Sequence, residues 1–498
     1  MRLSLLIAVL FVSGCDGLYS SDPDSGEGGG IGTGGGAGVG GGGMGGGGGT
    51  GGGLGSGGGG GHGGFGGGTE LDSGTSDAGI DGGPGDAGFD GGSGDGGPPV
   101  KNVTYTWALK GADQEYSIGA GASATHILWV RYLFGMAGGK ITAINRATGA
   151  FVSTQPTDLV PYNVADLNNS VMFLGRGDTA PDDWRVQWLA ADGLPAKRSD
   201  SMQMVVAGGG VIAGTIYEEP DAGLVAHVVS PKNGSGTHVS ALVRPDGGVR
   251  RTESPCGNVV WWDSATSSDS TRRFFLGAIN TNQCDFGGSQ FFGPAGSNTF
   301  KLVLVRYTAA AVPGVPLVRE VAGASGLLKG PAALGANGNS VWIAYYAPSG
   351  HLRLEEFAPD TVISRGAVQA TGQAYITGQT EVGLQVTDVV PHPTGNLVYV
   401  LVSVHEKKSK WENETTPALN ASTIAIYAFD KTSKQLASVT WVPSTSAPKL
   451  ASSMILVDGQ LIVSGQCLST PTMPVADPLC SPIPTTNVFS FIFSTPAP

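Results

Sequence analysis

Positive charge is scarce in this chain: Lys and Arg together number 28 against 40 Asp and Glu, a formal net charge of −12 at pH 7. The deficit is concentrated, because residues 1–100 hold 11 acids and only Arg2 as a base, which leaves −2 for the rest. A nearly neutral remainder offers no basic face, so nucleic acid is not expected as a partner. Histidine is sparse too. Six of the seven lie beyond residue 100 (His126, His227, His238, His351, His392 and His405), none in an H-E-x-x-H or H-x-H arrangement, so no metal site is assigned. Signatures of nucleophile or cofactor chemistry are missing as well, with no G-x-S-x-G elbow and no S-x-D-x-G-x-x-W box. Around Gly138-Gly139-Lys140, Phe134 stands where a phosphate loop needs its first glycine and Ile141 where it needs Ser or Thr. Gly208–Ala213 runs on into strand and then proline instead of the helix a dinucleotide fingerprint requires. The adjacent acids Asp182-Asp183, Glu218-Glu219 and Glu355-Glu356 point to opposite faces of any strand, so no pair serves one substrate. No catalytic residue, metal or cofactor is assigned.

Glycine, by contrast, is abundant at 84 residues, and residues 26–68 are close to pure glycine. Such a stretch has nothing to bury and the most backbone freedom to lose, so it cannot fold alone. From residue 16 to 100 the composition passes from Ser/Asp through glycine to repeated Asp-Ala-Gly and Asp-Gly-Gly units. It reads as a disordered acidic tether with an r.m.s. reach of roughly 50 Å. The aspartate of GGPGDAG falls one place early for a calcium-binding nonapeptide array, and no nine-residue period follows. Ahead of the tether, Arg2, an apolar stretch broken only by Ser4, and a small-residue step before Cys15 have the shape of a signal peptide, too short to span a membrane stably. The chain therefore divides into a signal (1–15), a tether (16–100) and a folded domain (101–498).

Within the domain a small-residue turn recurs before an apolar run: Asn168-Asn169-Ser170 before VMFL, Gly208-Gly209-Gly210 before VIAG, Gly257-Asn258 before VVWW, Gly338-Asn339-Ser340 before VWIAYY, Gly395-Asn396 before LVYVLV and Asp458-Gly459-Gln460 before LIVSG. HILWV from His126 has the run without the turn. Apolar runs of this length beside Gly/Asn turns predict strands buried on both faces, each followed by a second strand and usually a third. The seventh copy, NVFSFIFSTPAP, lacks its final strand, whereas VTYTWALK at the start is a strand without a repeat. Pairing residues 103–110 with 487–493 accounts for both, and predicts an all-β fold, a seven-bladed β-propeller with six or eight blades as the adjacent counts.

Setting Cys15 aside leaves four cysteines. An oxidising compartment predicts two disulfides, Cys256–Cys284 and Cys467–Cys480, this local choice among three connectivities being made because each pair brackets an excursion within one blade.

Two resemblances extend this reading. Val12-Ser13-Gly14-Cys15 resembles the bacterial lipobox, which implies that Cys15 is the lipid attachment site and that the membrane is reached through the N-terminal lipid. Asp16 resembles an inner-membrane retention signal; outer membrane, with a periplasmic or surface face, and inner membrane both stay open. ITAINRATGAF and IYAFDKTSKQLASVTW resemble the quinoprotein-like (PQQ-like) propeller repeat, A-x-D-x-x-T-G-x-x-x-W, with Asn145 in place of the aspartate and Ser433 in place of the glycine. In that family these residues build turns, so the resemblance implies fold and no cofactor. The expected function is a lipid-anchored binding or scaffolding module of the cell envelope, whose partner is an envelope protein or glycan. The alternatives are an envelope hydrolase or quinone-dependent oxidoreductase with its site in the channel, and an outer-membrane assembly factor. The charged excursion 405–420, with Trp411 in its middle, is a solvated loop able to anchor a partner.

Overall fold

Strands that are apolar on both faces must be covered on both faces, and in the computed structural model they are: seven antiparallel sheets follow one another around a single axis, with no helix among the described residues. The structure describes residues 100–498 apart from 134–137, 178–182, 203–212, 220–222, 233–236, 257–258, 280–283, 287–289, 292–300, 309–315, 322–331, 348–350, 370–373, 377–383, 405–408, 412–422, 443–447, 469–477 and 481–487. Cys15 and the tether lie outside the described residues.

Taken from the axis outward, blade 1 is Glu115–Ala122, His126–Leu133, Gly139–Asn145 and Phe151–Thr157; blade 2 is Leu159–Leu167, Ser170–Gly177, Trp184–Leu189 and Pro195–Arg198. Blade 3 is Ala213–Glu219, Gly223–Lys232, Thr237–Val243 and Val249–Pro255; blade 4 is Val259–Thr266, Arg272–Ile279, Lys301–Thr308 and Leu317–Glu320. Blade 5 is Ala333–Ala336, Val341–Tyr346, Leu352–Phe357 and Ser364–Gln369; blade 6 is Leu384–Pro391, Leu397–Val404, Thr423–Asp430 and Leu436–Trp441. Blade 7 is Lys449–Val457, Gln460–Leu468 and Val488–Pro496, and its outermost strand is Trp107–Asp113 from the start of the domain. Each innermost strand contacts the next, and that of blade 7 contacts that of blade 1, so the ring closes.

The closing strand is the expected one, displaced by a few residues: Trp107 pairs with Ser494, Leu109 with Ile492 and Asp113 with Phe489. A segment not anticipated from sequence, Val100–Asn102, adds a parallel fifth strand to blade 6 beside Leu436–Trp441. Two of the recurring turns show why small polar residues were needed. Asn168 and Asn169 (φ 48° and 63°), and Asp458 and Gly459 (φ 50° and 76°), are two-residue hairpin loops with both residues left-handed. In blades 3 and 4 the run beginning at Ala213 or Val259 is the innermost strand, whereas in the other blades it is the second.

The core is divided rather than single. Each of the seven interfaces between neighbouring blades carries its own buried apolar cluster. Period-two alternation sends Phe274 and Leu276 toward blade 5 but Phe275 and Ile279 toward blade 3, which is why the runs are continuously apolar.

Cys256 and Cys284 are bridged, but the bond does not lie within one blade: Cys256 follows the last strand of blade 3, and Cys284 lies in a small hairpin of blade 4. Replacing both by alanine is expected to lower the unfolding free energy by about 3 kcal/mol, because the bond closes a loop in the unfolded chain. Denaturant titration at equal m-value checks this. The expected Cys467–Cys480 bridge is not formed. Both side chains are buried thiols in the cluster between blades 6 and 7, and Cys467 Sγ donates toward the Leu479 carbonyl, 3.6 Å away, instead of reaching the neighbouring sulfur.

Candidate functional site

Five innermost strands carry a β-bulge near their start, whose extra residues are Ile118, Tyr162, Trp262, Thr387 and Ser452. All five line one cavity of about 290 Å³ in the channel, at the end where the innermost strands begin. A bulge presents one residue out of register and re-aims the next. Here the next residue turns to the neighbouring blade: Asp263 Oδ2 accepts from the Leu334 amide (2.8 Å), Asp388 Oδ2 from the Met454 amide (2.8 Å) and Ser453 Oγ from the Ala120 amide (3.1 Å). The same irregularity thus lines the channel and staples blade 4 to 5, 6 to 7 and 7 to 1.

Blades 1, 2 and 4 contribute the rings of Tyr116, Tyr132, Tyr162 and Trp262, with Ser117 and Ile118; blades 6 and 7 contribute Gln385, Thr387, Ser452 and Gln466, with Val386, Leu450 and Ala451. No Asp, Glu, Lys, Arg or His is among the described lining residues. Connections at this end run long in blades 4, 6 and 7 (280–300, 405–422 and 469–487), whereas the turns at the other end are mostly short. The far end is tied by polar side chains: Arg146 grips Asp458 through two bonds of 2.7 and 2.8 Å and reaches Asn169 Oδ1 at 3.1 Å, while Asn168 Nδ2 donates to Glu218 at 2.9 Å.

Below the mouth lie the half-buried Asp263 and Asp388, and toward the far end the exposed Asp166. Burial among protein atoms pushes Asp388 up to about 7, against the stabilising Met454 and Val389 amides and with help from the Asp166 charge. Burial, and then the Asp388 charge, raise Asp263 well above the usual carboxylate range. Both oxygens of Asp263 accept backbone amides, Ser264 at 2.7 Å and Leu334 at 2.8 Å, as do those of Asp388, Val389 and Met454 at 2.8 Å each. These carboxyls act as staples. Among the described residues no group of His, Cys, Asp or Glu could hold a metal ion.

The residues singled out in the sequence sit elsewhere. Glu218 is exposed and Glu219 buried, while Glu355 bonds Tyr345 and Ser364 and Glu356 bonds Ser340 and Lys434, so these pairs are divided between faces. Asp183 pairs with Arg185; Asp182 lies outside the described residues. His227, bonded to Ser240 Oγ at 2.6 Å, and His238 are buried between blades 3 and 4, and burial lowers both, His238 to about 4. His392 Nδ1 accepts the Gly395 amide at 2.6 Å, closing the expected turn. His405 is outside the described residues, as are the side chain of Trp411 and most of its excursion. Asn145 Oδ1 accepts the amides of Ala147 and Thr148, and Asp430 Oδ1 those of Thr432 and Ser433, so the two repeat-like turns match. Their left-handed residues are Gly149 (φ 70°) and Lys434 (φ 57°), which puts Lys434, and not Ser433, in the glycine position.

The bulge residues were missed. Their signal was present as a polar or glycine residue after each one: Ile118-Gly119, Tyr162-Asn163, Trp262-Asp263, Thr387-Asp388 and Ser452-Ser453.

No protein-family model matches the chain, and no curated protein matches it in sequence. Among solved structures it is similar to the β-propeller domain of Myceliophteria thermophila Cps50 (Swd1), at 9% identity and a TM-score of 0.43, covering 79% of this chain and 99% of that one. It is also similar to the quinohemoprotein alcohol dehydrogenase of Comamonas testosteroni, at 10% identity and a TM-score of 0.38, covering 79% and 76%. A prolyl endopeptidase matches at 12% identity and a TM-score of 0.38 over 72% of this chain, which spans only 45% of that one. Likeness at this level carries no function across.

Proposed function

We propose that this chain is a lipid-anchored β-propeller of the bacterial cell envelope that binds or scaffolds an envelope partner through the mouth of its channel. The observation that carries this reading is the lining of the mouth, where rings and neutral polar groups converge and no Asp, Glu, Lys, Arg, His or Cys is among the described lining residues. An anionic cofactor would find no Lys or Arg among the described residues there to pair with. The anchor rests on Val12-Ser13-Gly14-Cys15, and the tether lets the head search a volume around it at modest entropic cost.

The test uses the full-length protein in cells. Cys15→Ser is expected to shift it from the membrane to soluble fractions or to block its processing. Trp262→Ala is expected to leave it at the membrane but reduce recovery of its envelope partner by about tenfold. Unchanged membrane partition of Cys15→Ser removes the anchor, and unchanged partner recovery by Trp262→Ala removes the channel mouth as the binding site.

A further inference from the structure

Resting on that reading of the channel mouth, we infer that its ligand is a neutral saccharide, a single sugar unit or a short chain of them. A sugar ring has apolar C–H faces and a girdle of hydroxyls, and the cavity lining offers both complements. Tyr162 and Trp262 supply faces for stacking, while Gln385, Thr387 and Ser452 supply an amide and two hydroxyls. The side chains of these last three make no hydrogen bond to other described residues, so their capacity is open to a ligand.

The competing classes fit less well. A phosphate, uronate or ammonium group would lose its hydration and meet no opposite charge among the described lining residues. A purely apolar side chain of a partner protein would cover Gln385, Thr387 and Ser452 and leave their polar groups desolvated and unpaired. The volume, about 290 Å³, lies at the lower end of small-molecule sites, which rules out a large cofactor and suits a short saccharide.

The full-length, detergent-extracted protein is titrated calorimetrically with maltose, cellobiose and N,N′-diacetylchitobiose, with glucose 6-phosphate and glucuronic acid as charged probes and N-acetyltryptophanamide as a neutral non-sugar. At least one disaccharide is expected to bind saturably, with both charged probes at least about tenfold weaker. Trp262→Ala is expected to weaken that binding by about tenfold or more, and Gln385→Ala and Ser452→Ala by severalfold. The last two leave the ring-lined volume filled, so an unchanged melting temperature separates lost contacts from lost folding. Failure of all three disaccharides to bind overturns the saccharide, as does binding that none of the three substitutions alters. Saturable binding of N-acetyltryptophanamide alone, lost in Trp262→Ala, overturns the saccharide yet keeps the mouth as a binding site. Undiminished envelope-partner recovery by Trp262→Ala overturns the underlying reading itself.

Discussion

Deleting Trp107–Asp113 is expected to abolish the cooperative unfolding transition and to send the refolding chain into aggregates. The segment is the outermost strand of blade 7, and without it Val488–Pro496 becomes an open edge with unpaired backbone groups ready to template another chain. The strand also does more than pair. Lys110 Nζ donates to the Cys480 carbonyl at 2.9 Å. The Trp107 ring lies against Gly149 of blade 1, where a Cβ would come within 2.2 Å of it, so the strand also touches the first blade beside the seam. Burying one large apolar side chain contributes about 1.5–3 kcal/mol, against a total stability of about 5–15 kcal/mol for a typical domain. Losing a strand that closes the ring therefore removes a decisive share. Phe493→Ala probes the same seam more locally: its ring is fully buried, 5.2 Å from Tyr105, and its truncation should cost about 3–5 kcal/mol. Deleting Val100–Asn102, an added parallel strand on blade 6, should have a much smaller effect. Calorimetry with size-exclusion chromatography distinguishes these outcomes. An unaltered transition after loss of Trp107–Asp113 would show that this strand does not close the ring.

Asp388→Asn should change the pH dependence of stability more than its mean. Between about pH 4 and about pH 7 the folded chain keeps a proton on Asp388 that the unfolded chain releases. This group's stabilising contribution is therefore complete below its unfolded value and is lost as pH rises through about 7. His227 and His238 act in the opposite sense. Burial holds both below their ordinary value, so the unfolded chain gains protons on acidification that the folded chain refuses. The two effects partly cancel in the intact protein, which makes the difference between wild type and variant the informative quantity. Relative to wild type, Asp388→Asn should gain up to about 1.4 kcal/mol per pH unit across that window, about 4 kcal/mol at most. A constant loss is superimposed, because one amide oxygen cannot accept from both Val389 and Met454. Denaturant titrations at pH 4, 5.5, 7 and 8 read this directly. A difference that stays flat with pH would mean that Asp388 is ionised throughout.

How much of this was legible in the chain follows from what each feature depends on. Seven apolar runs, two leftover strands and turns made of Asn, Asp and Gly are local properties: burial on both faces demands the runs, and left-handed hairpin residues demand the turns, wherever the blades sit. The propeller and its closure at Trp107–Asp113 were therefore readable from sequence alone, and so was the Cys256–Cys284 pair, whose partners lie near each other along the chain. The channel mouth was not. Ile118, Tyr162, Trp262, Thr387 and Ser452 are far apart in sequence and unlike in type, and converge only because a bulge in each of these five innermost strands turns one residue out of register after the ring has formed. The raised carboxyl of Asp388 depends on the same assembly, since the charge of Asp166 and the amide of Met454 reach it only across the channel and the next blade boundary. Local pattern determined the blades; convergence across blades, which no single repeat encodes, decided the site.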